Sequence, residues 1–213
     1  MKIRHIIIFS FALFLVSCNR KQSYELANLS HPLLDEWFAN FKAADSSFSA
    51  EKFEQQFYSD NPNESTEEWY DLDFFYEPDS AQGDIISPNR DFYLNLDFYS
   101  GLDDALETGI YTGGEVDSKT TLVDVRNKKA IDIIPVNCCN DAMDAFWVND
   151  SIFVMLCQEL DASNDEWVPY ISIWKRELLI GYYIYAGKIN NFRDDKFFPF
   201  YKRLQRLGIT IAE

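Results

Sequence analysis

The chain has 213 residues, 35 of them acidic and 19 basic, for a net charge of −16. Such a surface repels polyanions, which excludes nucleic acid as a partner and anionic lipid headgroups as a docking surface. With 47% hydrophobic and 16% aromatic residues the chain can bury a real core, which excludes intrinsic disorder and fits one ordinary domain.

Lys2 and Arg4 give the chain a basic start, and the mostly apolar run Ile6 to Leu15 follows. That run is too short to cross the roughly 30 Å hydrocarbon core as a helix, so the layout predicts a secretion signal rather than an anchor helix. It closes on Leu15-Val16-Ser17-Cys18. This stretch resembles the lipobox of bacterial lipoproteins. The resemblance implies cleavage after residue 17 and acylation of Cys18, which becomes the first residue of the mature protein. Each buried methylene contributes about 0.8 kcal/mol, so two or three acyl chains hold a protein at the membrane almost permanently. Asn19 follows Cys18, where an aspartate signals inner-membrane retention in enteric lipoproteins. The resemblance therefore implies the cell envelope, with the outer membrane favoured. The expected domain plan is a signal peptide over 1–17, a lipidated tether over 18–30, and a single α+β domain over 31–213.

His31-Pro32 opens the first predicted helix, because proline suits a first turn where its missing N–H costs nothing. Leu33, Leu34, Trp37, Phe38 and Phe41 recur at helical spacing. A second short helix is expected from Ser49, with Phe48 and Phe53 placed as a hydrophobic staple, Phe57 continuing its face, and Asp60 to Asn63 ending it. From Trp69 onward the period becomes two. Phe92, Leu94, Leu96 and Phe98 alternate with Tyr93, Asn95, Asp97 and Tyr99, which predicts a half-buried strand. Further strands are expected over 120–125, 130–136, 145–148, 152–157, 168–174 and 178–185. Asn149-Asp150 should form a tight turn, and Pro169 should lie at the start or edge of its strand. A last helix over 198–207 should turn Tyr201, Leu204 and Leu207 inward and Lys202, Arg203 and Arg206 to water. Residues 188–213 hold six basic residues against three acidic, so this tail should dock on its own acidic body.

Two stretches, one built on Ser87 to Asp132 and the other on Trp147 to Ile180, resemble blades of a β-propeller, and the resemblance covers residues 87–185. Two blades cannot close a ring that needs at least four. The expected fold is therefore α+β: N-terminal helices, a seven- or eight-strand antiparallel β-meander with blade-like hairpins, and a C-terminal helix.

Most catalytic templates are missing. The sequence has no Gly-x-Ser-x-Gly elbow, no phosphate-binding glycine loop and no His-Glu-x-x-His motif. His31, the one histidine beyond the signal, sits at a helix start, where a structural role is expected. Cys138, Cys139 and Cys157 remain once Cys18 is acylated; a disulfide from Cys138 or Cys139 to Cys157 suits an oxidising envelope, and a zinc site lacks ligands. No metal and no cofactor are expected. The acidic loop 100–117 (Asp103, Asp104, Glu107, Glu115, Asp117) lacks the ligand ladder of a calcium site. Asp71 and Asp73 would share one strand face and could serve a carboxylate-dependent hydrolase, but close acid pairs arise by chance in so acidic a chain. Asp79-Ser80-Ala81 and Asp150-Ser151-Ile152 are similar to the O-glycosylation signal of Bacteroidota envelope proteins, and both also suit plain turns.

Tyrosine is abundant for one core, and Tyr93, Tyr99, Tyr182, Tyr183 and Tyr185 are candidates for an outer ligand face. The function expected is a non-catalytic, outer-membrane-anchored binding lipoprotein. Its partner would be a basic protein, as for an inhibitor or immunity protein of an envelope enzyme, or a glycan. The competing reading is a carboxylate-dependent hydrolase or sugar-binding protein acting on envelope glycans.

Overall fold

A computed structural model describes residues 29–44, 46–59, 68–72, 78–79, 83–98, 102–112, 118–137, 140–161, 166–177, 179–186 and 199–212. The first helix, α1, spans Pro32–Ala44. The His31 carbonyl accepts from the Leu34 and Asp35 amides at 3.0 and 3.1 Å, and its ring Nδ1 accepts from the Leu33 amide at 3.3 Å. Histidine thus caps the orphan N–H groups of the first turn. Leu34, Trp37 and Phe41 form the buried stripe, with Leu33 and Phe38 on its flanks.

After α1 the structure departs from the expected second helix. Ser49 does cap, its hydroxyl accepting from the Glu51 amide at 3.3 Å, and Phe48 does meet Phe53 with ring centroids 5.8 Å apart. The helix, however, is one 3-10 turn, Ala50–Lys52, and the chain continues as strand β1 (Phe53–Ser59). The remaining strands are β2 (Tyr70–Asp71), β3 (Ile85–Ile86), β4 (Phe92–Phe98), β5 (Ile110–Tyr111), β6 (Ser118–Asp124), β7 (Lys129–Asn137), β8 (Asn140–Asn149), β9 (Ile152–Asp161), β10 (Glu166–Lys175), β11 (Ile180–Ala186) and β12 (Thr210–Ile211). Two short helices, α2 (Leu102–Thr108) and α3 (Pro199–Arg206), complete the described residues. The fold is α+β with mostly antiparallel sheets.

The strands form two five-stranded sheets, ordered β1-β11-β10-β9-β8 and β2-β7-β6-β4-β3. The expected hairpins β6–β7, β8–β9 and β10–β11 are present. In the β8–β9 turn, Asn149 Oδ1 accepts from the Ser151 and Ile152 amides at 2.9 and 3.0 Å. The chain changes sheets between β7 and β8, so the meander is split in two. Leu94, Leu122, Ile131 and Ile133 of one sheet pack against Phe153, Met155, Cys157, Tyr170 and Trp174 of the other. The opposite face of the β8–β11 sheet carries Phe146, Val154, Leu156, Ile171 and Ile173, and α1 covers it. Strands β9 and β10 are therefore buried on both faces, which is why they read as continuous apolar runs. Pro169 lies inside β10, buried and opposite Gln158, but the β10–β11 pairing begins one residue later, at Tyr170.

Helices α2 and α3 end alike. Gly109 and Gly208 take positive φ, +74° and +78°, and each leads into a two-residue strand. Those strands, β5 and β12, pair in parallel, with the Thr210 amide donating to Gly109 O at 3.0 Å. Leu102, Ala105, Leu204 and Ile209 fill the small core between the two units. The expected acidic loop is therefore partly a helix, since Leu102 and Ala105 supply an apolar stripe.

Candidate binding cleft

Four separate segments converge on one cleft of about 390 Å³: the start of α1, residues 83–88, the middle of β8 and the end of α3. The arrangement begins with a bulge. The β8–β9 register shifts between Ala142 and Asp144, so that Ala142 and Ala145 both contact the core between the sheets. Asp144 consequently shares the α1-side face with Phe146, and bulges are a recurrent way of re-aiming a side chain. His31 lies flat on Phe146, ring centroids 3.9 Å apart and planes 2° apart.

Asp144 is only 7% exposed. One carboxylate oxygen accepts from the Ala145 amide at 2.9 Å, and the other accepts from Arg206 Nη2. Arg206 Nη1 donates to Glu36 Oε2 at 2.9 Å, which joins α3 to α1 as well as to β8. Burial pushes the Asp144 carboxyl above its ordinary pKa, against the pull of Arg206, Arg203 and the Ala145 amide. Burial likewise lowers the His31 imidazole, although Asp144 and Asp35 pull the other way. Arg203 is 4% exposed and donates from Nη2 to Gly83 O at 2.8 Å. Trp147 Nε1 donates to Ile85 O at 2.8 Å, and Asp84 Oδ2 accepts from the Asp79 amide at 3.0 Å. Hydrogen bonds therefore tie β8 and α3 to the 83–88 segment.

The basic tail does dock on the acidic body, through Arg203 and Arg206. Arg203 was expected to face water and is instead buried. It stands one turn before Leu207 and next to Leu204, at the flank of the apolar stripe, and that position was the available signal. Nothing in the sequence distinguishes Asp144 from the chain's other acidic residues, because its role depends on a bulge and on partners far along the chain.

Of the five tyrosines expected to form a ligand face, only Tyr93 has its side chain among the described residues. Tyr93 is 3% exposed and packs with Val123 and Ala130, so it corrects the expectation of an open position: Ile86 and Val123, its register partners on β3 and β6, stand beside it, with Leu72 and Val125 packed against the group. Tyr182, Tyr183 and Tyr185 lie on β11, between β1 and β10, and their side chains fall outside the described residues, as does Tyr99 altogether. Cys157 is buried in the core between the sheets. Cys138, Cys139 and Cys18 lie outside the described residues. Asp71 is exposed and 3.8 Å from Lys129 Nζ, while Asp73 lies outside the described residues. Ser151, in the β8–β9 turn, donates to Glu177 Oε1 of the β10–β11 turn at 3.1 Å, and Ser80 lies outside the described residues.

A second polar cluster sits on the β2–β7–β6 face. Asp132 accepts from Tyr70 Oη and Thr121 Oγ1, each at 3.0 Å, and pairs with Lys119 Nζ at 2.9 Å. It ties three strands together. Among the described residues, no group of three or more histidine, cysteine or carboxylate side chains is placed to hold a metal ion, and no helix is long and apolar enough to cross a membrane. Compared with known protein families, curated proteins and solved structures, the chain matches none.

Proposed function

We propose that this protein is a non-catalytic binding lipoprotein, anchored through Cys18 in the cell envelope, with the outer membrane as its site. One observation carries the binding reading. Among the described residues, no hydroxyl, thiol or amine nucleophile lines the cleft, and the two carboxylates that do are already engaged by backbone amides and Arg206. Such a lining suits holding a ligand better than attacking one. The lipobox supports the anchor.

A second reading is favoured by the charge of the chain. An inhibitor of a basic envelope enzyme would gain encounter speed from a net charge of −16. Capture from envelope extract by the detergent-solubilised lipoprotein, at low and high salt, separates the readings. A basic protein held at low salt and released at high salt supports the inhibitor. A glycan held without turnover supports small-ligand binding. Turnover of that glycan, lost in Asp71→Asn or Asp73→Asn, defeats the non-catalytic reading. The anchor has its own test: Cys18→Ala should abolish labelling by a fatty-acid probe, and persistent labelling would refute the lipobox.

A further inference from the structure

We infer that the His31–Asp144–Arg206 cleft binds an uncharged saccharide; this rests on the binding reading above and names its ligand class. The first argument is charge. The cleft lining carries two aspartates and two arginines, so it is formally balanced within a chain of net charge −16. A cationic ligand would meet the repulsion of Arg203 and Arg206. An anionic one would meet that of Asp84, Asp144 and the adjoining Glu36. A neutral ligand avoids both costs.

The second argument is hydrogen-bonding capacity. A guanidinium has five N–H donors in a planar fork, and a carboxylate accepts at about four lone-pair positions. Arg206 spends donors on Glu36 and Asp144, and Asp144 accepts from Arg206 and the Ala145 amide. Both planar groups keep capacity side by side, one donating and one accepting. Vicinal hydroxyls, which donate and accept at adjacent carbons, match that pair. The Arg206 side chain is 37% exposed and that of Asp144 10%, so a ligand reaches the pair from the guanidinium side.

The third argument is shape. Ile86, Pro88 and Trp147 line the cleft with apolar surface. A pyranose ring has a flat C–H face as well as its hydroxyl rim, so it can use wall and polar pair together. The cleft volume of about 390 Å³ lies in the range of small-ligand sites, and the bonds from Arg203 to Gly83 and from Trp147 to Ile85 hold its sides in place beforehand.

The test uses the full-length lipoprotein in a zwitterionic detergent without a sugar headgroup. Chitotriose, maltotriose and cellotriose are titrated while thermal midpoint and tryptophan fluorescence are followed. At least one should give a saturable rise in midpoint. Asp144→Asn, which is isosteric, and Arg206→Gln should each weaken it about tenfold or more. Pro88→Ala, which leaves the ion pair intact, should weaken it by a smaller factor. Three results would each overturn the inference: no trisaccharide response up to about 10 mM; tighter binding of charged trimers of galacturonate or glucosamine; or unchanged affinity in all three variants. None of these bears on the binding reading itself, which the extract capture decides separately.

Discussion

His31 and Phe146 stack face to face with ring centroids 3.9 Å apart, joining the residue that starts α1 to the middle of β8. The same imidazole accepts the Leu33 amide, so one side chain both caps the helix and positions it on the sheet. Burial lowers the His31 pKa below 6.5, so the folded state resists protonation more than the unfolded chain does. Its contribution is complete above pH 6.5 and is lost as pH falls through the folded value. His31→Asn should keep the cap, lose the stacking and flatten the stability profile between about pH 7 and 5 relative to wild type. Thermal midpoints across that range check this, and parallel profiles would refute it.

Asp144 should act in the opposite sense. Its folded pKa is raised above 3.8, so the native state holds the proton more tightly than the unfolded chain. Stability from this residue is therefore greatest at low pH and declines as pH rises through the folded value. Asn mimics the protonated acid. The midpoint of Asp144→Asn minus that of wild type should grow as pH rises from about 4 to 7. A difference that shrinks would mean that the Arg206 pairing outweighs the burial cost.

Gln158 is buried on β9, 1% exposed, and among the described residues neither its amide nitrogen nor its amide oxygen has a hydrogen-bond partner. Replacing an orphaned buried polar group by an apolar one of similar shape removes a desolvation penalty. Gln158→Met should raise stability by about 1 kcal/mol, read as a higher urea midpoint with an unchanged slope. A lower midpoint would show that the amide is bonded in solution.

Gly109 and Gly208 occupy the left-handed region with open space where a Cβ would stand. Alanine there meets no neighbour among the described residues, so the expected cost is that of the backbone alone, about 1 kcal/mol at each site. The two glycines end helices that share one small core, so the double variant should test their coupling in a thermodynamic cycle. A loss well above the sum of the single losses would reveal cooperative undocking of the two units.

The local pattern of this chain already carried the α+β class, the helix at Pro32, the alternation of β4, the hairpins and the C-terminal helix. Each depends on spacing within a dozen residues, where apolar period and turn chemistry act directly. Even the docking of the basic tail was legible, as a charge imbalance between residues 188–213 and the rest. Tertiary structure decided what depends on distant partners. Phe53–Ser59 became a strand because β11 offers an unpaired edge, and that pairing outweighs a helical reading of the segment. Tyr93 went inside because β3 and β6 flank its strand and set Ile86 and Val123 beside it, and Arg203 because Gly83 presents a carbonyl 120 residues away. Asp144 became the centre of a cleft through a one-residue bulge and an arginine 62 residues on, relationships that no sequence period encodes.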